Sequence, residues 1–276
     1  MRFASVIHDG QPHAVAIDGD TAIPLAGVDE LGADTPLGVL RQPPLARDGA
    51  FPVRDATIRP LIPRPGKVIC VGLNYKAHVE ETNRDLPEYP VLFTKFASSL
   101  TGAYDTVLCP PESDAVDYEG ELAVVIGRPA RRVPAERALD VVAGYTVAND
   151  VTMRDYQYRT HQWLQGKAWD ASTPLGPALV TPDEVGDPGA LTLRTLVNGE
   201  VVQEARTELM IFPVATLISV ISEFAALYPG DVILTGTPAG VGFRRDPKLL
   251  MTDGDAAVVE IEGVGRTENR FATERN

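Results

Sequence analysis

One stretch limits what this chain can fold into more than any other. In Asp117-Tyr118-Glu119-Gly120-Glu121-Leu122-Ala123-Val124-Val125-Ile126-Gly127 an acidic start runs straight into an apolar, β-branched segment. An uninterrupted run of this kind fits a strand covered on both faces. Side chains of a strand alternate between faces, so Glu119 and Glu121 point the same way, about 7 Å apart along the chain. Two such carboxylates repel and raise one another's pKa unless a positive charge sits between them. The stretch alone therefore fits either a solvated acidic strand end or a cation site.

A chain of 276 residues can bury a full core as one large domain or as a main domain with a small partner. With 44% hydrophobic and 23% charged residues it has the composition of a folded globular protein. The net charge of −13 argues against nucleic acid as a partner, since binding a polyanion needs a basic footprint. It also opposes acidic small molecules at long range, so an anionic ligand needs a local cation to receive it. The first ten residues break into charge and a turn, and no apolar run approaches the ~18 to 20 residues of a membrane span. The expectation is a soluble, cytoplasmic protein that neither enters a membrane nor binds nucleic acid. Cys70 and Cys109 lack the close spacing of a metal or redox pair and are expected to be buried thiols.

Residues 1–41 read as a small β-meander followed by a short helical piece near Leu37 to Leu40, with Asp9-Gly10 and Asp18-Gly19 as turns. Prolines 43, 44, 52, 60, 63 and 65 then deny regular structure to residues 42–66. This places a small N-terminal domain with its proline-rich linker at 1–64 and a main domain at 65–276. The main domain opens with a buried strand at 67–72. If the next piece is helical, His78 and Glu81 share a face, as a carboxylate-supported base or as a surface ion pair. The polar, proline-bounded segment 82–90 has the character of a lid. Lys95, near the end of an apolar strand, could meet an anion or snorkel to solvent.

Asp150 ends another apolar strand just ahead of a polar helix, as a cap or as a third acid of the site. Arg154, Gln157 and His161 fall on one face of that helix, where an anionic ligand or solvent could satisfy them. Lys167 sits in a loop. Asn198-Gly199 marks a hairpin, residues 216–227 a packing helix, and residues 235–242 a glycine-rich loop whose N–H groups can hold a carboxylate. A strand at 256–262 closes the domain.

Five segments, in this order, resemble the fumarylacetoacetate hydrolase family over roughly residues 65–276. They are Val71-Gly72-Leu73-Asn74-Tyr75 with His78 and Glu81, Asp117 to Leu122, Asn149-Asp150-Val151-Thr152, Gln165-Gly166-Lys167, and Leu234 to Gly242. The resemblance implies an α+β, β-rich fold: a mixed β-sheet roll as catalytic domain, a small N-terminal α+β domain, and a homodimer. It implies Mg²⁺ or Mn²⁺ on Glu119, Glu121 and Asp150, an oxygen-only set suited to a hard cation. It also implies His78, oriented by Glu81, as a water-activating base, Lys167 as oxyanion stabiliser, and Arg154, Gln157 and Thr237 as contacts to a keto-acid substrate. Larger members add a further carboxylate from the segment matching Val71 and Gly72, which is apolar in this chain. The activity implied is metal-dependent C–C bond hydrolysis of an acylpyruvate or related 2,4-diketo acid, releasing pyruvate and a carboxylic acid. An oxaloacetate-type decarboxylase or a hydroxy-dienedioate isomerase on the same scaffold is the alternative.

Overall fold

A computed structural model describes residues 1–275. Strand dominates, and the helices are short. A large mixed sheet runs in the spatial order Phe51–Pro52, Thr21–Pro24, Gln11–Asp18, Arg2–His8, Thr173–Val180, Val142–Asn149, Gly120–Ile126, Val232–Leu234, Val68–Gly72 and Val91–Lys95. Most neighbours are antiparallel, but Val232–Leu234 and Val68–Gly72 run parallel, which makes the sheet mixed as expected. A second sheet stacks Glu200–Arg206, Thr192–Val197, Ala256–Ile261, Gly265–Thr273 and Val107–Cys109. The Asn198-Gly199 turn forms the hairpin its sequence predicts, with both residues at positive φ.

The strand Gly120–Ile126 is buried along its whole length because both of its faces are covered. Leu122, Val124 and Ile126 pack into one apolar cluster with Leu217, Ile218 and Ile221 of the helix Val214–Phe224. Ala123 and Val125 face the other way, into a cluster that includes Phe3, Leu25, Leu61, Ile62 and Leu179. That second cluster crosses the boundary expected near residue 64, and so does the sheet, since Arg2 and Phe3 pair with Val180 and Leu179. The proline-rich segment 42–66, expected to lack regular structure, supplies two short strands and the buried Leu61 and Ile62.

The polar helix expected from residue 152 is a single turn, Arg154–Gln157. His161 lies beyond it, exposed, and shares no face with Arg154 and Gln157. Lys167 ends a second one-turn helix, Leu164–Lys167, rather than sitting in a loop. The strand Gly265–Thr273, unforeseen in the sequence, buries Thr267, Asn269 and Phe271 and pairs with the strand expected to be last. Both cysteines are buried and free, and burial pushes the Cys109 thiol up to about 11. Among the described residues no helix is long and apolar enough to cross a membrane.

Candidate active site

Antiparallel pairing builds the acidic floor. Gly120 lies opposite Asn149 and Glu121 opposite Ala148, so the residue before one strand meets the residue after the other. The Asp150 N–H donates to the Glu119 carbonyl (2.8 Å), and the Glu119 N–H donates to Asn149 Oδ1 (2.9 Å). Carboxylate oxygens of Glu119, Glu121 and Asp150 thereby come within 4.8 Å of one another. Glu121 and Asp150 are fully buried and Glu119 is 5% exposed, which removes the reading of a solvated strand end.

Cations surround two of the three acids. Lys167 Nζ donates to Glu119 Oε2 and Asp150 Oδ2, both at 2.8 Å. Lys95 Nζ donates to Asp150 Oδ1 at 2.5 Å, and Arg154 Nη1 reaches Glu119 Oε1 at 2.6 Å. Lys95 is thus neither a cavity-facing anion receptor nor a snorkelling lysine, but a buried partner of Asp150. Glu119 is raised by burial, yet the ammonium of Lys167 and the guanidinium of Arg154 outweigh this and bring it down to about 2. Glu121 moves the opposite way. Burial raises it well above its ordinary value, and the charges of Asp150 and Glu119 raise it further. Its Oε2 accepts the Gly236 N–H at 2.6 Å, while its Oε1 is buried without a hydrogen-bond partner. An all-oxygen donor set with one orphaned buried carboxylate oxygen fits a hard divalent cation.

The one-turn helices press together because Gly166 has no side chain: a Cβ there would lie 2.5 Å from Gln157. This close approach sets Lys167 over the floor. His78, in the helix Lys76–Glu81, has its Nδ1 2.6 Å from Glu81 Oε1, and Glu81 Oε2 accepts the Gly240 N–H at 2.9 Å. The carboxylate favours the Nδ1–H tautomer and leaves Nε2 as a base. Three N–H groups of the glycine-rich loop are committed to the protein's own carboxylates, Gly236 to Glu121, Gly240 to Glu81 and Gly242 to Asp117, and the Phe243 N–H that follows also donates to Asp117.

His78, Glu119, Arg154, Gln157, Lys167 and Thr237 line one cavity. Glu81 stands behind His78, while Glu121 and Asp150 lie beneath the lining. Thr237 is tied down by Gln203, whose Nε2 donates to its hydroxyl at 2.8 Å. Thr82 and Arg84 bring the segment expected as a lid to the cavity wall. Asp117, Asn149 and Trp163 were given no part in the site by sequence reasoning, and Lys95 was read as an anion contact or a surface lysine rather than as a counter-ion of Asp150. A lysine inside an apolar strand and an acid ahead of a buried one were the available signals for Lys95 and Asp117. Asn149 and Trp163 gave none, since their parts depend on contacts distant in sequence.

Residues 67–272 match the family model described as fumarylacetoacetate hydrolase, C-terminal. The mitochondrial oxaloacetate tautomerase of Rattus norvegicus is 46% identical over 253 residues, covering 91% of this chain and 81% of that protein. Among solved structures, the 5-carboxymethyl-2-hydroxymuconate delta-isomerase of Mycobacterium smegmatis is 36% identical with a TM-score of 0.85, covering 99% of this chain and all of the other. The fumarylacetoacetate hydrolase of Exiguobacterium antarcticum is 35% identical with a TM-score of 0.88 over the same shares.

Proposed function

Because the chain belongs to the fumarylacetoacetate hydrolase family, we propose that it is a divalent-metal-dependent enzyme that moves a proton at the carbon beside the keto group of a 2-oxo acid, as an oxaloacetate-type tautomerase. The observation that carries this reading is the meeting, at one cavity, of an all-carboxylate floor and a carboxylate-supported histidine. Glu119, Glu121 and Asp150 would hold Mg²⁺ or Mn²⁺, which when bound polarises the keto oxygen and makes the adjacent C–H more acidic.

The chain's own groups divide the remaining work. With Nδ1 engaged by Glu81, His78 accepts the proton from the carbon beside the keto group at Nε2 and returns it to the resulting enolate oxygen, giving the enol. Glu81 stabilises the imidazolium between those two events and is itself held by the Gly240 N–H. Lys167 puts positive charge beside the floor, where the keto oxygen becomes an oxyanion. Arg154, Gln157 and Thr237 orient the acid: the buried Nη2 of Arg154 has no protein partner and suits a substrate oxygen.

The second reading, C–C hydrolysis of an acylpyruvate, draws support from the same His–Glu pair, since an activated water needs the same base. A tautomerase needs that base as well, so the pair does not separate the two. Two observations favour the first reading: the identity to a relative named an oxaloacetate tautomerase, and the cations at the mouth. Arg84 lies 5.7 Å over Trp163 and Arg244 5.8 Å over Tyr158, both lining the cavity, where they would receive a second carboxylate. The deciding experiment follows the enol absorbance of oxaloacetate and, separately, pyruvate release from a short acylpyruvate, each with Mg²⁺ and with chelator. Metal-dependent loss of enol without pyruvate supports the tautomerase. Metal-dependent pyruvate from the acylpyruvate alone would move the protein to the hydrolase reading.

A further inference from the structure

We propose that Asp117 is a positioning residue: its carboxylate fixes the Arg154 guanidinium so that Nη2 faces the cavity, and in doing so sets the affinity for the substrate's anionic group. This rests on the reading of the cavity as a site for an anionic, metal-chelating acid. Asp117 is fully buried and does not line the cavity. Its Oδ1 accepts the N–H groups of Tyr118 (2.9 Å) and Gly242 (2.8 Å). Its Oδ2 accepts Arg154 Nε (2.8 Å) and the Phe243 N–H (3.0 Å). Four donors fill the lone-pair sites of a carboxylate, so the group has one orientation.

Arg154 is held just as closely on its other edge. Nη1 contacts Glu119 Oε1 at 2.6 Å and Gln157 Oε1 at 3.0 Å, which leaves Nη2 buried and unpartnered. A guanidinium gripped by two acids presents its third nitrogen in a fixed direction. Without the Asp117 charge, Glu119 is the only carboxylate left to Arg154. The fork then turns onto Glu119 with both terminal nitrogens, withdrawing Nη2 from the cavity and competing for an acid assigned to the cation. Asp117 would therefore affect two affinities without touching either ligand. A purely structural Asp117, important only for pinning Gly242 and Phe243, predicts something different: a loss that does not depend on Arg154.

The test is a double-mutant cycle on the full-length protein, with oxalate as an inert probe at saturating Mg²⁺ and affinity read by titration calorimetry. No turnover is needed, so failure of the tautomerase reading does not affect it. Asp117→Asn is expected to weaken oxalate about tenfold, and Mg²⁺ measured alone by a similar factor, since a charge-assisted hydrogen bond to a buried arginine is lost. Arg154→Met should weaken oxalate to the same degree, and the double variant should be no weaker than Arg154→Met. Additive losses, or unchanged affinity in Asp117→Asn, overturn the proposal. If Asp117→Asn does not fold by circular dichroism, Asp117→Glu carries the test. It keeps the charge but displaces the carboxylate by one methylene, so weaker oxalate binding that is absent in an Arg154→Met background supports the proposal, and wild-type affinity or a loss that persists in that background overturns it.

Discussion

Glu121 is the residue whose surroundings most demand a cation. Its Oε1 is buried and unpartnered, and burial together with Asp150 and Glu119 raises its pKa well above 4.5. A carboxylate raised in this way contributes its full stability below the unfolded value and loses it as the pH rises through the folded one. The metal-free protein should therefore lose stability above about pH 4.5 through Glu121. Glu119, brought down to about 2, acts with the opposite sign: its contribution is present above 4.5 and lost as the pH falls toward 2. Glu121→Gln is expected to raise the metal-free melting temperature at pH 8, worth about 1–3 kcal/mol for a buried unpaired group, and to abolish further stabilisation by Mg²⁺. A variant that still responds to Mg²⁺ like the wild type would remove Glu121 from the proposed ligand set. His78→Ala should lower turnover by about 10²–10⁴ while leaving Mg²⁺ affinity within twofold, as expected for a general base that is not a ligand. At this scale the sequence was informative where residue type alone carries chemistry. Glu119 and Glu121 on one strand face, and His78 three residues before Glu81, needed only the local period to be found. Which oxygen meets which donor did not follow from it.

Short elements position these side chains, and their lengths were less legible. The segment after Asp150 has the polarity of a surface helix, yet it stops after one turn and leaves His161 in solvent. So short a helix has little stability of its own, and it is held by the Arg154–Asp117 ion pair and by Gly166 beneath Gln157. The strand Gly265–Thr273 escaped notice because polar Thr267 and Asn269 occupy its inward positions, so apolar alternation is missing. Gly72, at the end of a strand, was unremarkable in sequence, but a Cβ there would lie 2.3 Å from the Trp163 ring. That ring forms part of the cavity wall and packs edge-on against Phe93 at 5.6 Å. Gly72→Ala, made in a Trp169→Phe background, should shift the Trp163 emission and raise KM several-fold with little change in the far-ultraviolet circular dichroism. Unaltered emission and KM would mean the indole has room to move without cost.

On the scale of the whole molecule, the N-terminal strands and the site-bearing strands share a sheet and an apolar cluster. Residues 65–276 alone would expose the edge of Thr173–Val180 and the apolar surface that Phe3, Leu61 and Ile62 cover. Burying three such side chains is worth roughly 1.5–3 kcal/mol each, a large part of a typical domain's net stability. The fragment is expected to lack a cooperative thermal transition; a sharp transition with Mg²⁺ binding retained would make the N-terminal region an independent unit. What the sequence determined by itself was the buried strand with its two like-facing acids, the hairpin at Asn198-Gly199, the glycine-rich loop and the candidate base, because each is set by periodicity or residue chemistry over a few neighbours. Tertiary structure alone decided that Asp150 joins Glu119 and Glu121, that Lys95 is an internal counter-ion, and that the glycine-rich loop serves Glu121, Glu81 and Asp117. These outcomes depend on the register between strands and on contacts spanning up to 159 residues, as from Gly240 to Glu81, which no local pattern encodes.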